Sequence, residues 1–140
     1  MLERTEKTSK HKLVLLVDDN VTDSYMNEMI IKGAAFAKTV FMHSCGVAAI
    51  EFFRNVKEGE ICYNELLPTY IFVDLNMPIM NGFQFIEEFN KRYLCLKNDI
   101  KIVVLTSSKE LIDMNKAMSY TNVVKFINKP LTDIDLSGLN

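Results

Sequence analysis

The chain has 140 residues, 49% hydrophobic and 24% charged, with a net charge of −2. That length supports one domain with a real core, and so small a charge gives no field for gripping nucleic acid or a membrane surface. Cys45, Cys62 and Cys95 are odd in number and lack CxxC spacing, so neither a disulfide framework nor a zinc site is indicated.

Residues 1–12 are charged and polar, without the apolar core of a signal peptide. They read as a solvated lead-in that includes an exposed His11. No run is long enough to span a membrane; a cytoplasmic, reducing location is expected. Leu13 to Val17 is a short apolar run that stops at Asp18-Asp19-Asn20, a buried strand ending in acid. Thr22 or Asp23 is placed to cap the next helix, whose inward face is expected at Met26, Met29, Ile30 and Gly33.

Thr39 to Met42 suggests another strand, and Ser44 to Lys57 a helix with Ala49, Ile50 and Phe53 inward. His43 precedes that helix without an evident partner. A polar connection follows from Glu58 to Thr69. Tyr70 to Val73 is aromatic and β-branched and runs directly into Asp74. Pro78 and the pair Asn81-Gly82 then turn the chain, and Phe83, Ile86, Phe89 and Tyr93 recur at helical spacing. Lys101 to Leu105 forms a further strand with Thr106-Ser107-Ser108 at its end. Leu111, Met114, Ala117 and Met118 mark a helix, and Val123 to Ile127 a last strand closed by Asn128-Lys129-Pro130. Leu131 to Asn140 leaves room for one or two helical turns.

Strand and helix alternate five times, and the strands are almost continuously apolar. An α/β domain with a doubly wound five-stranded parallel sheet, covered on both faces, is the expected architecture. The C-terminal strand ends of such a sheet lie on one edge. That edge would collect Asp18, Asp19 and Asp74 with the Thr106 hydroxyl and the Lys129 ammonium. Each residue alone could be a helix cap or a solvated charge. Together, three carboxylates against one ammonium repel one another and call for a hard divalent cation on oxygen ligands; Mg²⁺ tolerates few protein ligands. This set suits phosphoryl transfer to a carboxylate, with Asp74 as nucleophile and Lys129 and Thr106 binding phosphoryl oxygens.

Val17-Asp18-Asp19-Asn20, Val73-Asp74-Leu75-Asn76-Met77-Pro78 with Asn81-Gly82, Thr106-Ser107-Ser108 and Lys129-Pro130 together resemble the receiver domain of response regulators in two-component and phosphorelay signalling. The resemblance covers residues 13 to about 133, so 13–140 is expected to be a receiver domain of flavodoxin-like (βα)5 fold with a shortened last helix. It implies that Asp74 accepts a phosphoryl group from a phosphohistidine on a sensor histidine kinase or a histidine phosphotransfer protein. Asp19, Asp74 and the Asn76 backbone carbonyl would hold Mg²⁺ directly, and Asp18 through water. Thr106 and Phe126 would form the switch, with a cis bond before Pro130. The wording from Asn81 to Phe89 looks most like stand-alone receivers, so no fused output domain is expected. Such a module catalyses only its own phosphorylation and dephosphorylation and is not a conventional enzyme. It would relay the phosphoryl group or switch binding of a protein target, and is expected to be a monomer when unphosphorylated.

An aspartate-nucleophile phosphatase of the haloacid dehalogenase type also sets an aspartate and Mg²⁺ at a strand end. It needs a second aspartate two residues later as general acid; here that position is Asn76, and Asn20 after Asp18. A pseudo-receiver working without phosphorylation is disfavoured by the presence of all five key side chains.

Overall fold

A computed structural model describes residues 8–58, 67–93 and 99–140. Cys62, Cys95 and most of the Glu58–Thr69 connection lie outside the described residues. The elements run β1 (His11–Val17), α1 (Val21–Gly33), β2 (Ala37–His43), α2 (Gly46–Glu58), β3 (Tyr70–Val73), α3 (Gly82–Arg92), β4 (Lys101–Thr106), α4 (Leu111–Met118), β5 (Val123–Asn128) and α5 (Asp133–Ser137). The five strands form one sheet in the order β2-β1-β3-β4-β5, and every pairing is parallel. This is the doubly wound, flavodoxin-like order, with its switch point between β1 and β3.

The strands are apolar on both faces because both are covered. Leu15, Val17, Ile71, Val73, Ile102 and Val104 face the side packed with Phe53, Phe85, Ile86 and Phe89. Val14, Leu16, Tyr70, Phe72, Val103 and Leu105 face Ile31, Phe36, Leu131, Leu136 and Leu139. The alternation along each strand is the period of two that a pleated backbone imposes. Each fully buried large side chain contributes about 1.5–3 kcal/mol relative to leaving it in water.

The aromatic stripe of α3 is rotated slightly from its expected position. Phe85, Ile86, Phe89 and Tyr93 are buried, whereas Phe83 is half-buried and carries the Lys116 ammonium 4.5 Å above its ring. Phe89 packs against Phe53 at 5.0 Å between ring centroids. Asn81 caps α3 in a reciprocal box: its side chain accepts from Gln84 N, and the Gln84 side chain accepts from Asn81 N, both at 2.9 Å.

Four local expectations are corrected. β1 takes in His11 and Lys12, and the His11 ring is not exposed: it packs 4.7 Å from Phe36 and 5.2 Å from Tyr70. Helix α1 is capped by Asn20, in extended conformation, not by Thr22 or Asp23. That helix buries Ser24, Asn27 and Ile31, while Met26 and Met29 point to solvent. Helix α4 buries Ala117 alone, leaving Leu111, Met114 and Met118 exposed. Both helices leave apolar side chains on their outer faces.

The last helix is indeed short, five residues from a Thr132 cap. It covers the sheet through Leu136, with Leu139 just beyond it, both buried. The end of the chain is tied to the start of the sheet: the Lys10 ammonium donates to the Leu139 carbonyl at 2.7 Å, and the Tyr70 hydroxyl to the Asn140 carbonyl at 3.3 Å.

Candidate functional site

Register builds the site. Val17 pairs with Val73, and Val73 with Val104, so Asp18 and Asp74 leave neighbouring strands at the same height. They flank the switch point, where helices diverge and open a crevice. Thr106 pairs with Asn128, which delivers Lys129 to the same edge one residue later. The Lys129 N–H donates to the Thr106 carbonyl at 2.9 Å, and the Lys129-Pro130 bond is cis.

Asp18, Asp74 and Thr106 are buried, and Asp19 is exposed. Carboxylate oxygens of Asp18, Asp19 and Asp74 lie within 4.8 Å of one another. The Lys129 ammonium donates to Asp18 Oδ2 at 2.7 Å, to Asp23 Oδ2 at 2.9 Å and to Asp74 Oδ2 at 3.1 Å. An ammonium has three N–H donors, so these carboxylates use all of them. Asp18 Oδ1 accepts from Asn20 N at 2.9 Å, and Asp74 Oδ1 from Asn76 N at 3.3 Å. The same Asn20 caps α1 by accepting from Asp23 N at 3.0 Å, so one asparagine orients two of the three acids around Lys129.

The electrostatics reflect an excess of acid. Burial raises the Asp18 pKa above its ordinary value and the nearby Asp74 charge adds to this, outweighing the hydrogen bonds from Lys129 and Asn20. Burial alone would lower Lys129, but hydrogen bonds to Asp18 and Asp23 and the charges of Asp74 and Asp18 carry it well above the ordinary lysine value. Lys129 is therefore fixed as a cation. Three clustered oxygen donors beside one ammonium fit a hard divalent cation in charge, donor type and spacing.

Thr106 is fully buried, and its hydroxyl oxygen accepts from Ser108 N at 3.2 Å. The loop beyond is anchored by Ser108 Oγ donating to Asp113 at 2.6 Å. Phe126 is half-buried on β5, against the core on the α3–α4 side of the sheet. Asn76 is exposed just beyond Asp74. The structure thus gathers Asp18, Asp19, Asp74, Thr106 and Lys129 at one edge, with Asn76 beside them and Phe126 further along β5. Sequence spacing marks Asp23 only as a candidate cap for α1, whereas the structure makes it the third acceptor of the Lys129 ammonium.

Gly82 completes the cradle. A Cβ there would collide with the Asp74 carbonyl and approach Leu75 Cα to 2.8 Å. The site therefore requires glycine for close approach of α3 to the end of β3.

The family model described as the response regulator receiver domain matches residues 14–138. Response regulator Rcp1 of Synechocystis sp. is 31% identical over 104 residues, covering 74% of this chain and 67% of that protein. A two component response regulator from Cytophaga hutchinsonii has a similar structure, with a TM-score of 0.83, 29% identity, and coverage of 93% of this chain and 94% of that one. The Mn²⁺-bound form of Rcp1 superposes with a TM-score of 0.69 and 26% identity, over 91% of this chain and 88% of that one. Among the described residues no helix is long and apolar enough to cross a membrane. With its acidic cluster, strand order and paired Lys129 in place, the chain belongs to the response regulator receiver domain family, the signalling modules of two-component systems.

Proposed function

We propose that residues 13–140 form a cytoplasmic receiver domain that takes a phosphoryl group on Asp74 from a phosphohistidine of a sensor histidine kinase or histidine phosphotransfer protein. An Asp74 carboxylate oxygen attacks phosphorus; the P–N bond breaks, the imidazole nitrogen leaves with the electron pair and takes up a proton, and an acyl phosphate remains. The observation that carries this assignment is Lys129 holding Asp74 and Asp18 together at 3.1 and 2.7 Å in a crevice with a third carboxylate beside them. A lysine so placed can bind a phosphoryl oxygen without leaving the site.

Asp18, Asp19, Asp74 and the Asn76 carbonyl are the oxygens that would hold Mg²⁺, Asp18 through water. The ion would supply the positive charge that lets a phosphoryl anion approach an acidic cluster. That Rcp1 has a Mn²⁺-bound form supports a divalent site here. Lys129 and Thr106 bind phosphoryl oxygens, and Thr106 and Phe126 carry the change to the surface. The unphosphorylated protein is a monomer, and its output is binding of a protein target or onward relay.

Incubation with Mg²⁺ and acetyl phosphate or phosphoramidate tests the assignment. Intact mass should rise by one phosphoryl group, and Asp74→Asn should gain none. Undiminished labelling of that variant would overturn Asp74 as the acceptor.

A further inference from the structure

The Lys129 ammonium has no donor left over. Its three hydrogen bonds go to Asp18, Asp23 and Asp74. Two of these acceptors also belong to the group of oxygens spaced for a cation; Asp23 does not. A divalent ion at that group would draw Asp18 and Asp74 charge toward itself, leaving Asp23 as the carboxylate whose whole charge faces Lys129. Asp23 is well fixed for this. Its own N–H is held by the Asn20 cap, which sets the first turn of α1 against the Asp18 loop, and its side chain is one-third exposed.

We propose, resting on the phosphoacceptor role assigned to Asp74 above, that Asp23 is a positioning residue that competes with the phosphoryl group for Lys129. A phosphoryl oxygen gains the ammonium only as one existing acceptor gives way, and the metal-free acceptor is Asp23. The α1 carboxylate therefore weakens the grip of the phosphorylated state and keeps Lys129 parked in the unphosphorylated one. Asp23 touches neither the reacting oxygen nor the ion; it acts through Lys129 alone.

The test is beryllofluoride, a phosphoryl mimic, titrated at saturating Mg²⁺ into the unsubstituted protein, Asp23→Asn and Asp23→Glu, with binding followed by NMR. Asp23→Asn should bind about three-fold more tightly, the scale of one partly exposed ion pair, and Asp23→Glu should restore the original affinity. The Lys129 ammonium proton signal is read in the same Mg²⁺-loaded samples before beryllofluoride is added. It should be visible in the unsubstituted protein and lost to fast exchange in Asp23→Asn. Equal or weaker binding by Asp23→Asn overturns the inference. So does tighter binding with an unchanged ammonium signal, which would mark a general charge effect. If the unsubstituted protein binds no beryllofluoride, the Asp74 assignment itself fails, an outcome distinct from all variants binding alike.

Discussion

The space a side chain on Gly82 would need is already filled by the backbone carbonyl of Asp74. The Gly82 N–H also donates to the Leu75 carbonyl at 3.0 Å, so α3 begins in direct contact with the strand end that carries Asp74. Gly82→Ala must push the two apart. Overpacking of this kind costs about 1–3 kcal/mol. We expect a lower denaturation midpoint together with slower labelling by acetyl phosphate; a variant of full stability and unchanged labelling rate would show that the contact is readily relieved.

Divalent ions should stabilise the fold. Mg²⁺ held at the clustered Asp18, Asp19 and Asp74 oxygens would add about 2.7 kcal/mol at a hundred-fold excess over its Kd. Asp19→Asn should weaken that rise in melting temperature while leaving metal-free stability equal or higher, because one of three crowded acids is removed. Thermal melts with Mg²⁺ and with a chelator measure both effects. A loss of metal-free stability would mark Asp19 as structural instead.

Acid should destabilise the protein partly through His43. Its Nε2 is buried without a hydrogen-bond partner among the described residues, the ring packs 5.4 Å from Phe52, and burial lowers its pKa below the ordinary 6.5. A lowered folded-state value means that the unfolded chain takes up the proton first, so stability is full above 6.5 and declines as pH falls from there to the folded value. Asp18 acts in the opposite sense at lower pH, since its folded pKa is raised above 3.8 and its protonation favours the fold. Denaturant melts of His43→Leu should therefore show a shallower loss of stability just below pH 6.5 than the unsubstituted protein. Parallel profiles would exclude His43 as the cause.

Phosphorylation should be read first at Ser108. Its N–H is bonded to the Thr106 hydroxyl, so drawing that hydroxyl toward a phosphoryl oxygen takes away the amide's acceptor. Amide shifts with beryllofluoride are expected to concentrate at residues 106–119 and around Phe126. Shifts restricted to α1, with Ser108 and Phe126 silent, would rule out this switch.

Ile79 is 95% exposed and has φ of 70°, a left-handed conformation in which a β-branched side chain is strained. Asparagine adopts it more readily. Ile79→Asn should raise stability by about 1 kcal/mol, the low end of the strain such a residue stores. An unchanged or lower denaturation midpoint would count against stored strain.

Much of this was legible in the chain itself. Apolar runs ended by Asp18, Asp74, Thr106 and Lys129 placed strands and site together, because a parallel sheet puts every such end on one edge. Helix α1 was not legible in the same way. Hydrophobic spacing points to Met26 and Met29, yet Ser24 and Asn27 are the residues buried beside Ile31, and apolar periodicity cannot find a face lined by small polar side chains. Asp23 stood out only as a helix cap, and its tie to Lys129 was hidden for a related reason. Its partner Lys129 is 106 residues away, and only the folded sheet edge brings them within reach.

The chain's last residues lie beside His11 and Tyr70, at the edge where strands β1 and β3 begin, whereas Asp18 and Asp74 sit where those strands end. A fluorophore, affinity handle or surface tether attached at Asn140 would thus be separated from the acidic crevice by the length of the sheet. Immobilised in that orientation, the protein would present its acidic crevice to a partner in free solution.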